Sequence, residues 1–298
     1  MLSRTHWLRE IATLDPAVDH DRIAAITSRH EFPWDVQQAL SFALFRTYAV
    51  PSVGRLLYET GEFTERTQKR HDDTALLLDE ISAHGLESPG GRRAIRRVNQ
   101  MHRGYDISND DMLYVLATFV VVPVRWIQSY GWRRLTDAEI DAGTAYYRRL
   151  GDLMGIADTP ATYAGFVCLL DEYEAAHFAY DEGARRVADA TLDLLCSFYP
   201  RPARKLVRAF ALSIMDDSLR AAFRYTAPPP AVVKASRSVL RFRALVESLL
   251  PARRKPQQVK NLRIIRTYPN GFDVDDLGTF PRGCPVPHPR SESREAAR

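Results

Sequence analysis

The sequence is poor in cysteine and has no long apolar run, and both absences limit what the chain can be. Its three cysteines, Cys168, Cys196 and Cys284, form no close pair, so neither a disulfide framework nor a structural zinc site is expected. The amino terminus lacks the continuous apolar core of a secretory signal, which makes the cytoplasm the expected compartment. The longest apolar run, residues 112–122, is too short to span a bilayer, so no transmembrane helix is expected.

The signatures of two large protein classes are also missing. No GxGxxG motif follows a strand pattern and no GxxxxGK[ST] loop is present, so nucleotide binding is not expected. No serine stands between suitably spaced glycines in a GxSxG elbow, which argues against a serine hydrolase.

Acidic residues are scarce between residues 201 and 266, although the 298-residue chain has a net charge of only +4. This region contains 16 Lys and Arg but only 3 Asp and Glu. Such a basic region indicates an anionic membrane surface, an acidic partner or simply a solvated face. Because no zinc-finger spacing or RNA-binding aromatic signature accompanies it, nucleic acid is not an expected partner.

Helical periodicity runs through most of the chain, and few segments alternate between apolar and polar residues as strands do. The spacing of Thr136 and Glu139 is that of a capping box, and Gly155 is placed to end the helix that follows. Residues 112–122 are apolar on every side, which is typical of a helix buried all round. The sequence therefore predicts an all-α fold, a single large bundle-like domain of many helices around a buried hydrophobic central helix.

Composition divides the chain into four parts. Residues 1–34 are predicted to be an N-terminal extension and residues 35–226 the main helical domain, which would contain any catalytic site. Prolines at 228–230 begin the third part, residues 227–280, predicted to contain a basic amphipathic helix and a C-terminal segment packed on the domain. Residues 281–298 have the composition of a disordered tail.

The helix predicted at residues 231–250 has an apolar side and many basic residues. Its apolar side consists of Val232, Val239, Phe242, Val246 and Leu249, and its basic residues are Lys234, Arg237, Arg241 and Arg243. The pattern suits a helix docked on the domain through its apolar side, which we favour, or a helix lying on anionic lipid. Peripheral membrane contact through residues 231–250 therefore stays open.

A histidine is predicted on the inward side of the helix that begins at Pro89. At about 100° per residue, Ile95, Asn99 and His102 share one stripe, while Arg97 points to the opposite side. A buried imidazole needs partners for two ring nitrogens, and these are usually a carbonyl, a carboxylate or a metal. His102 is therefore either a hydrogen-bonded core histidine or a ligand of a cofactor or metal.

Two other helical patterns could contribute to a site. Lys69 and Asp73 stand at i and i+4, as do Arg70 and Thr74, which suits either a salt-bridged solvated face or the wall of a pocket. Glu174 and His177 have the ExxH spacing by which some di-iron proteins supply half of a site, but the sequence contains no second such pair.

The polar motif that includes His102 resembles a known family. Its residues are RVNQMHRGYDISNDDMLY at 97–114, followed by PVRW at 123–126 and GWR at 131–133, with KRHDDT at 69–74 and YPNGF at 268–272. This pattern is similar to the MpaB and latex-clearing-protein (rubber oxygenase) family, and nearer to its MpaB-like branch. The resemblance covers roughly residues 35–280.

The resemblance implies an all-helical oxygenase that uses O2 to cleave carbon–carbon double bonds in isoprenoid chains. Rubber oxygenases bind haem b through an axial histidine, and fungal MpaB proteins act on a farnesyl side chain at a membrane. By position His102 matches the motif histidine of the MpaB branch. Many relatives nearer the rubber oxygenases carry Trp-Val-His-Ala-Thr in the next helix, where this chain has Leu116 in place of the histidine. Either His102 or His177 then ligates haem iron, or this branch binds no haem.

These considerations define one leading hypothesis and two rivals. In the first, the chain is an oxygenase for an apolar isoprenoid or lipid, with haem b held by His102, and the other site residues are Lys69, Arg70, Asp73, Arg97, Asn99, Tyr105 and Asp110. The first rival is a helical lipid-binding or membrane-associated protein without catalysis. The second is a non-haem iron enzyme built on His102, His177 and carboxylates such as Glu174, which requires their helices to meet.

Overall fold

The structure is a computed structural model, and it describes residues 2–279. The all-α prediction is confirmed, because this part of the chain contains fourteen α-helices and no β-strand. The first eight helices are α1 (His6–Ile11), α2 (His20–Ile26), α3 (Pro33–Tyr48), α4 (Pro51–Glu59), α5 (Glu62–Glu65), α6 (Thr67–His84), α7 (Pro89–His102) and α8 (Asn109–Tyr130). The remaining six are α9 (Asp137–Met154), α10 (Tyr163–His177), α11 (Glu182–Ser197), α12 (Arg204–Ile214), α13 (Asp217–Ala222) and α14 (Pro230–Ser248).

The helix boundaries follow local hydrogen bonding. Thr136 and Glu139 form the predicted capping box at the start of α9, and Gly155 ends this helix in the left-handed conformation. The Ser88 hydroxyl accepts a hydrogen bond of 3.0 Å from the Gly91 amide at the start of α7. The Thr162 hydroxyl caps the start of α10 by accepting a hydrogen bond of 3.1 Å from the Gly165 amide.

Helix α8 is the central helix that the sequence predicts. It packs against α3, α9, α10 and α14, and Tyr114, Ala117 and Val121 are fully buried. With 22 residues and a mean hydropathy of 1.5, α8 is long and apolar enough to cross a membrane by length and composition alone. Since 61% of this apolar stretch is buried inside the fold, residues 2–279 contain no clear membrane span.

The first 34 residues belong to the same core as the helices that follow. Ile23 and Ile26 of α2 pack with Ala142 of α9. An ion pair of 2.5 Å joins Arg29 to Asp79 of α6. Residues of the predicted N-terminal extension therefore help to enclose the main helices.

The C-terminal segment, defined here as residues 259–279, lies across α6 and α7. Val274 and Leu277 are buried against the side chains of these two helices. The carboxylate of Asp72 in α6 accepts hydrogen bonds of 2.9 Å from the backbone amides of Arg266 and Thr267. Residues 227–279 thus pack on the domain, while the tail predicted at residues 281–298 lies outside the described residues.

Helix α14 docks through a different side from the predicted one. Ser236, Leu240 and Ala244 are its buried residues. Val239 and Phe242, assigned to the inward stripe by the sequence, are exposed. That prediction was wrong because α14 contributes small residues and a single leucine to the contact, which leaves its broader apolar side facing outwards.

Candidate functional site

A cavity of about 270 Å³ lies among α3, α6, α8 and α9. Most of its wall is apolar, formed by Val36, Leu40, Leu44, Leu78, Val120, Val124, Ile127, Leu135, Ile140 and Leu150. A largely apolar wall of this kind favours apolar ligands. Gly143 of α9 also lines it, and a Cβ atom added to this glycine would meet nothing within 4 Å.

Arg70 places a positive charge on the wall of the cavity. Its guanidinium donates a hydrogen bond to the Thr74 hydroxyl and lies 5.0 Å from the centre of the Phe63 ring. Among residues 2–279 no carboxylate lies within ion-pair distance of Arg70. Burial lowers the pKa of the guanidinium, and the negative charges of Asp73 and Glu62 oppose this shift without closing an ion pair. Arg70 is therefore an enclosed cation available to an anionic group.

Three other polar residues of the cavity wall, Tyr48, His71 and Thr191, were not identified from the sequence. Tyr48 is fully buried, its hydroxyl forms a hydrogen bond with Thr191, and burial raises its pKa to about 12. His71 forms a hydrogen bond of 2.9 Å from Nδ1 to Asp72 Oδ1. The neighbours of His71 in the sequence are charged, so nothing local indicates that it lines a cavity.

His102, at the end of α7, is half-buried and its Nδ1 atom is enclosed, as the predicted inward direction requires. Among residues 2–279 this nitrogen has no hydrogen-bond partner. Burial lowers the pKa of the imidazole to about 4, and the nearby Arg70 charge contributes to the shift. His102 is therefore neutral at pH 7, which is the form that can ligate a metal. It does not line the cavity itself, but the charge of Arg70 acts on it from the cavity wall.

Three predicted site residues instead hold the C-terminal segment. Arg97 Nε donates a hydrogen bond of 2.7 Å to the Leu277 carbonyl, and Lys69 Nζ donates one of 3.2 Å to the Gly278 carbonyl. Asp73 accepts from Lys69 at 2.6 Å and from the Tyr268 hydroxyl. The expectation that Arg97 points away from the core was wrong, because the C-terminal segment covers that side of α7 and buries it.

The remaining motif residues lie at different depths. Asn99 Nδ2 donates a hydrogen bond of 2.9 Å to the Leu153 carbonyl, which joins α7 to α9. Tyr105 is half-buried and forms a hydrogen bond with Thr279, and burial raises the pKa of its hydroxyl. Asp110 is exposed in the first turn of α8, where a negative charge favours the helix dipole. Arg70 thus lines the cavity, and His102 lies near enough for the Arg70 charge to act on it.

The two residues of the ExxH pair, Glu174 and His177, make structural contacts. Glu174 is buried and binds the Arg46 guanidinium, with a hydrogen bond of 2.6 Å from Arg46 Nε. His177 is exposed, stacks on Tyr173 at 4.0 Å between ring centres and bonds to its carbonyl. No group of three His, Cys, Asp or Glu side chains between residues 2 and 279 is placed to hold a metal ion. The geometry required for a non-haem site on His102, His177 and Glu174 is not present.

Comparison with known proteins supports the family that the motif indicates. Residues 36–248 match the family model described as "ER-bound oxygenase mpaB/B'/Rubber oxygenase, catalytic domain". The chain belongs to this family.

Two curated relatives come from Penicillium brevicompactum and Penicillium roqueforti. The ER-bound oxygenase mpaB' of P. brevicompactum is 34% identical over 78% of this chain and 59% of its own length. The ER-bound oxygenase mpaB of P. roqueforti is 34% identical over 67% of this chain and 73% of its own length. This chain therefore spans about three fifths of the length of the first relative. The family match also continues beyond residue 226 to the end of α14, so α14 is part of the family's catalytic domain.

Position 116 sets this MpaB-family chain apart from the Trp-Val-His-Ala-Thr pattern of relatives nearer the rubber oxygenases. Leu116 is buried in α8 and faces α9, where a Cβ atom at Gly151 would lie 2.8 Å from Leu116 Cδ2. A leucine cannot ligate iron. His102 is the one histidine within the motif at residues 97–114, and its Nδ1 atom has no hydrogen-bond partner in the described part of the chain.

Proposed function

We propose that this chain is an oxygenase that uses O2 to oxidise or cleave a carbon–carbon double bond in an apolar isoprenoid or lipid. The observation that carries the proposal is the apolar cavity with Arg70 on its wall, a cation that forms no ion pair with a carboxylate among residues 2–279. The membership of an oxygenase family supports the reaction class. The size and apolar wall of the cavity support a hydrocarbon substrate.

Haem b is the proposed cofactor, with His102 as its protein ligand. The unpartnered Nδ1 and the low pKa of His102 fit an imidazole that ligates iron in its neutral form. Arg70 fits the second need of a haem, a cation for a propionate group. When bound, haem supplies an iron with an open position for O2.

The chain's own residues would bind the substrate and keep the site dry. Leu40, Val120 and Leu150 would contact the hydrocarbon, while Tyr48 would keep its proton at neutral pH and donate a hydrogen bond. Relatives named ER-bound lead us to propose further that the reaction takes place at a membrane surface, on the cytoplasmic side.

The cofactor is tested by an absorption spectrum and metal analysis of purified protein with His102→Ala. We expect a Soret band and stoichiometric iron in the wild type, and the loss of both in the variant. His84→Ala is the matched control, because His84 is exposed and forms an ion pair with Glu80 on its own helix. His177→Ala tests the alternative ligand. A Soret band that survives in His102→Ala and disappears in His177→Ala would refute the assignment.

The substrate site is tested at Gly143. Gly143→Leu would place an isobutyl group in the open space of the cavity, so we expect it to abolish conversion of a probe such as squalene under labelled O2, as followed by mass spectrometry. Gly143→Ala fills little of the space and should retain most of the activity. Equal activity in the leucine variant would show that the substrate binds elsewhere.

A second function, lipid binding without catalysis, is favoured by Leu116. In this interpretation the apolar cavity binds a lipid and the chain holds no iron. Lipid extraction with metal analysis separates the two functions. A bound isoprenoid or lipid in iron-free protein that was expressed with ample iron would support the carrier, whereas stoichiometric iron would refute it.

A further inference from the structure

Helix α14 presents an apolar ridge to the outside of the fold. Val239, Phe242 and Leu249 are 61%, 67% and 79% exposed, and Leu245, Val246 and Leu250 extend the same surface. At about 100° per residue these six side chains fall within about 140° of the helix circumference, opposite the docked residue Leu240. Large apolar side chains rarely cluster in the open without a ligand or partner.

The exposed charged side chains beside this ridge are basic. Lys234, Arg237 and Arg241 are exposed on the adjoining strip of α14, and none of them forms an ion pair in the part of the chain that is described. Glu247 is the only acidic residue between residues 230 and 250, and it accepts a hydrogen bond of 2.6 Å from Arg243. The outward side of α14 therefore combines apolar groups with uncompensated positive charge.

We propose that the outward side of α14 binds the surface of an anionic lipid bilayer. Phe242, Leu249 and their apolar neighbours enter the boundary between headgroups and acyl chains, and the three cations contact lipid phosphates. A second copy of the chain fits this surface poorly, because two equally basic faces repel each other. The neighbouring helix α12 adds an exposed leucine, Leu206, and the exposed Lys205. This surface deepens the proposed membrane location and depends on no part of the oxygen chemistry.

The test is flotation of the full chain with phosphatidylcholine vesicles that contain or lack phosphatidylserine. We expect binding only to the phosphatidylserine vesicles, with affinity that falls as salt is added. The double variant Phe242→Ser, Leu249→Ser should weaken binding by at least about tenfold, because it removes the largest apolar groups of the ridge. Neutralising Lys234, Arg237 and Arg241 with glutamine should weaken it by about fivefold for each charge.

Val18→Ser is the control, because Val18 is an apolar residue near the N-terminus that is as exposed as Phe242 and Leu249. Circular dichroism and thermal unfolding check that the variants fold, as expected for substitutions on exposed positions. Binding that is unaffected by the Phe242 and Leu249 substitutions would overturn the proposal, as would equal binding to neutral vesicles. A wild-type dimer that the double variant converts to monomer, without vesicle binding, would assign the ridge to a second copy instead. Flotation needs neither haem nor substrate, so a failure here leaves the oxygenase proposal to its own test.

Discussion

Asp72 anchors the C-terminal segment, and Asp72→Asn should loosen it. The fully buried carboxylate accepts hydrogen bonds of 2.7–2.9 Å from Gln68, His71, the Arg266 amide, and both the amide and the hydroxyl of Thr267. An asparagine presents a donor where one carboxylate oxygen stood. In the least unfavourable orientation, the side-chain NH2 group of the asparagine points toward Gln68 and His71. His71 can accept a hydrogen bond from it by changing its tautomer.

Most of the free energy lost in Asp72→Asn is lost at the two backbone amides, those of Arg266 and Thr267. Their hydrogen bonds change from charged to neutral acceptors, and each such change costs about 1 kcal/mol. A total of about 2 kcal/mol corresponds to a roughly 30-fold rise in the population in which this segment is open. Hydrogen exchange reports this opening directly when it occurs locally.

The assay is amide hydrogen exchange of peptides that cover residues 262–279. We expect the protection of the Arg266 and Thr267 amides to fall about 30-fold in Asp72→Asn, while α8 keeps its protection. Asp276→Asn is the matched control, because Asp276 is exposed in the same segment and accepts no side-chain hydrogen bond between residues 2 and 279. Unchanged protection at Arg266 and Thr267 would mean that Asp72 does not hold the segment.

The pH dependence at Asp72 and two other sites give measurable outcomes. Hydrogen bonds to His71, Thr267 and Arg266 outweigh the effect of burial and hold the pKa of Asp72 below its ordinary value of 3.8. The contribution of this carboxylate to stability is therefore present above pH 3.8, and it is lost as the pH falls through the lower pKa of the folded state. Exchange at Thr267 followed from pH 7 downwards should show this loss, and Asp72→Asn should not. Glu174→Gln should lower the free energy of unfolding by about 2 kcal/mol in urea titration, because it weakens the buried pair with Arg46, whereas the exposed Glu172→Gln should leave it unchanged. Gly143→Ala should raise the free energy of unfolding by about 0.5–1 kcal/mol, since it adds a helix-favouring methyl group in open space; a loss of stability would contradict the cavity at this position.

Local sequence predicted most of the helices and part of the site. Capping residues such as Thr136 and Gly155 fixed the ends of α9, since the hydrogen bonds that end a helix come from residues a few positions away. The all-round apolar composition of residues 112–122 placed α8 at the centre. His102 was identified from helical periodicity together with the family motif, and the structure brings it beside Arg70.

What the sequence by itself determined is therefore the helical class, the central helix and the family. The tertiary structure alone decided which side of each helix is covered. Arg97 is buried because a segment 180 residues further along the chain lies over it. His71 and Tyr48 line the cavity because α6 and α3 both border it. Helix α14 turns its apolar ridge outwards because small residues make its contact with the domain. Periodicity shows which residues share a side of a helix, but long-range packing determines what that side contacts.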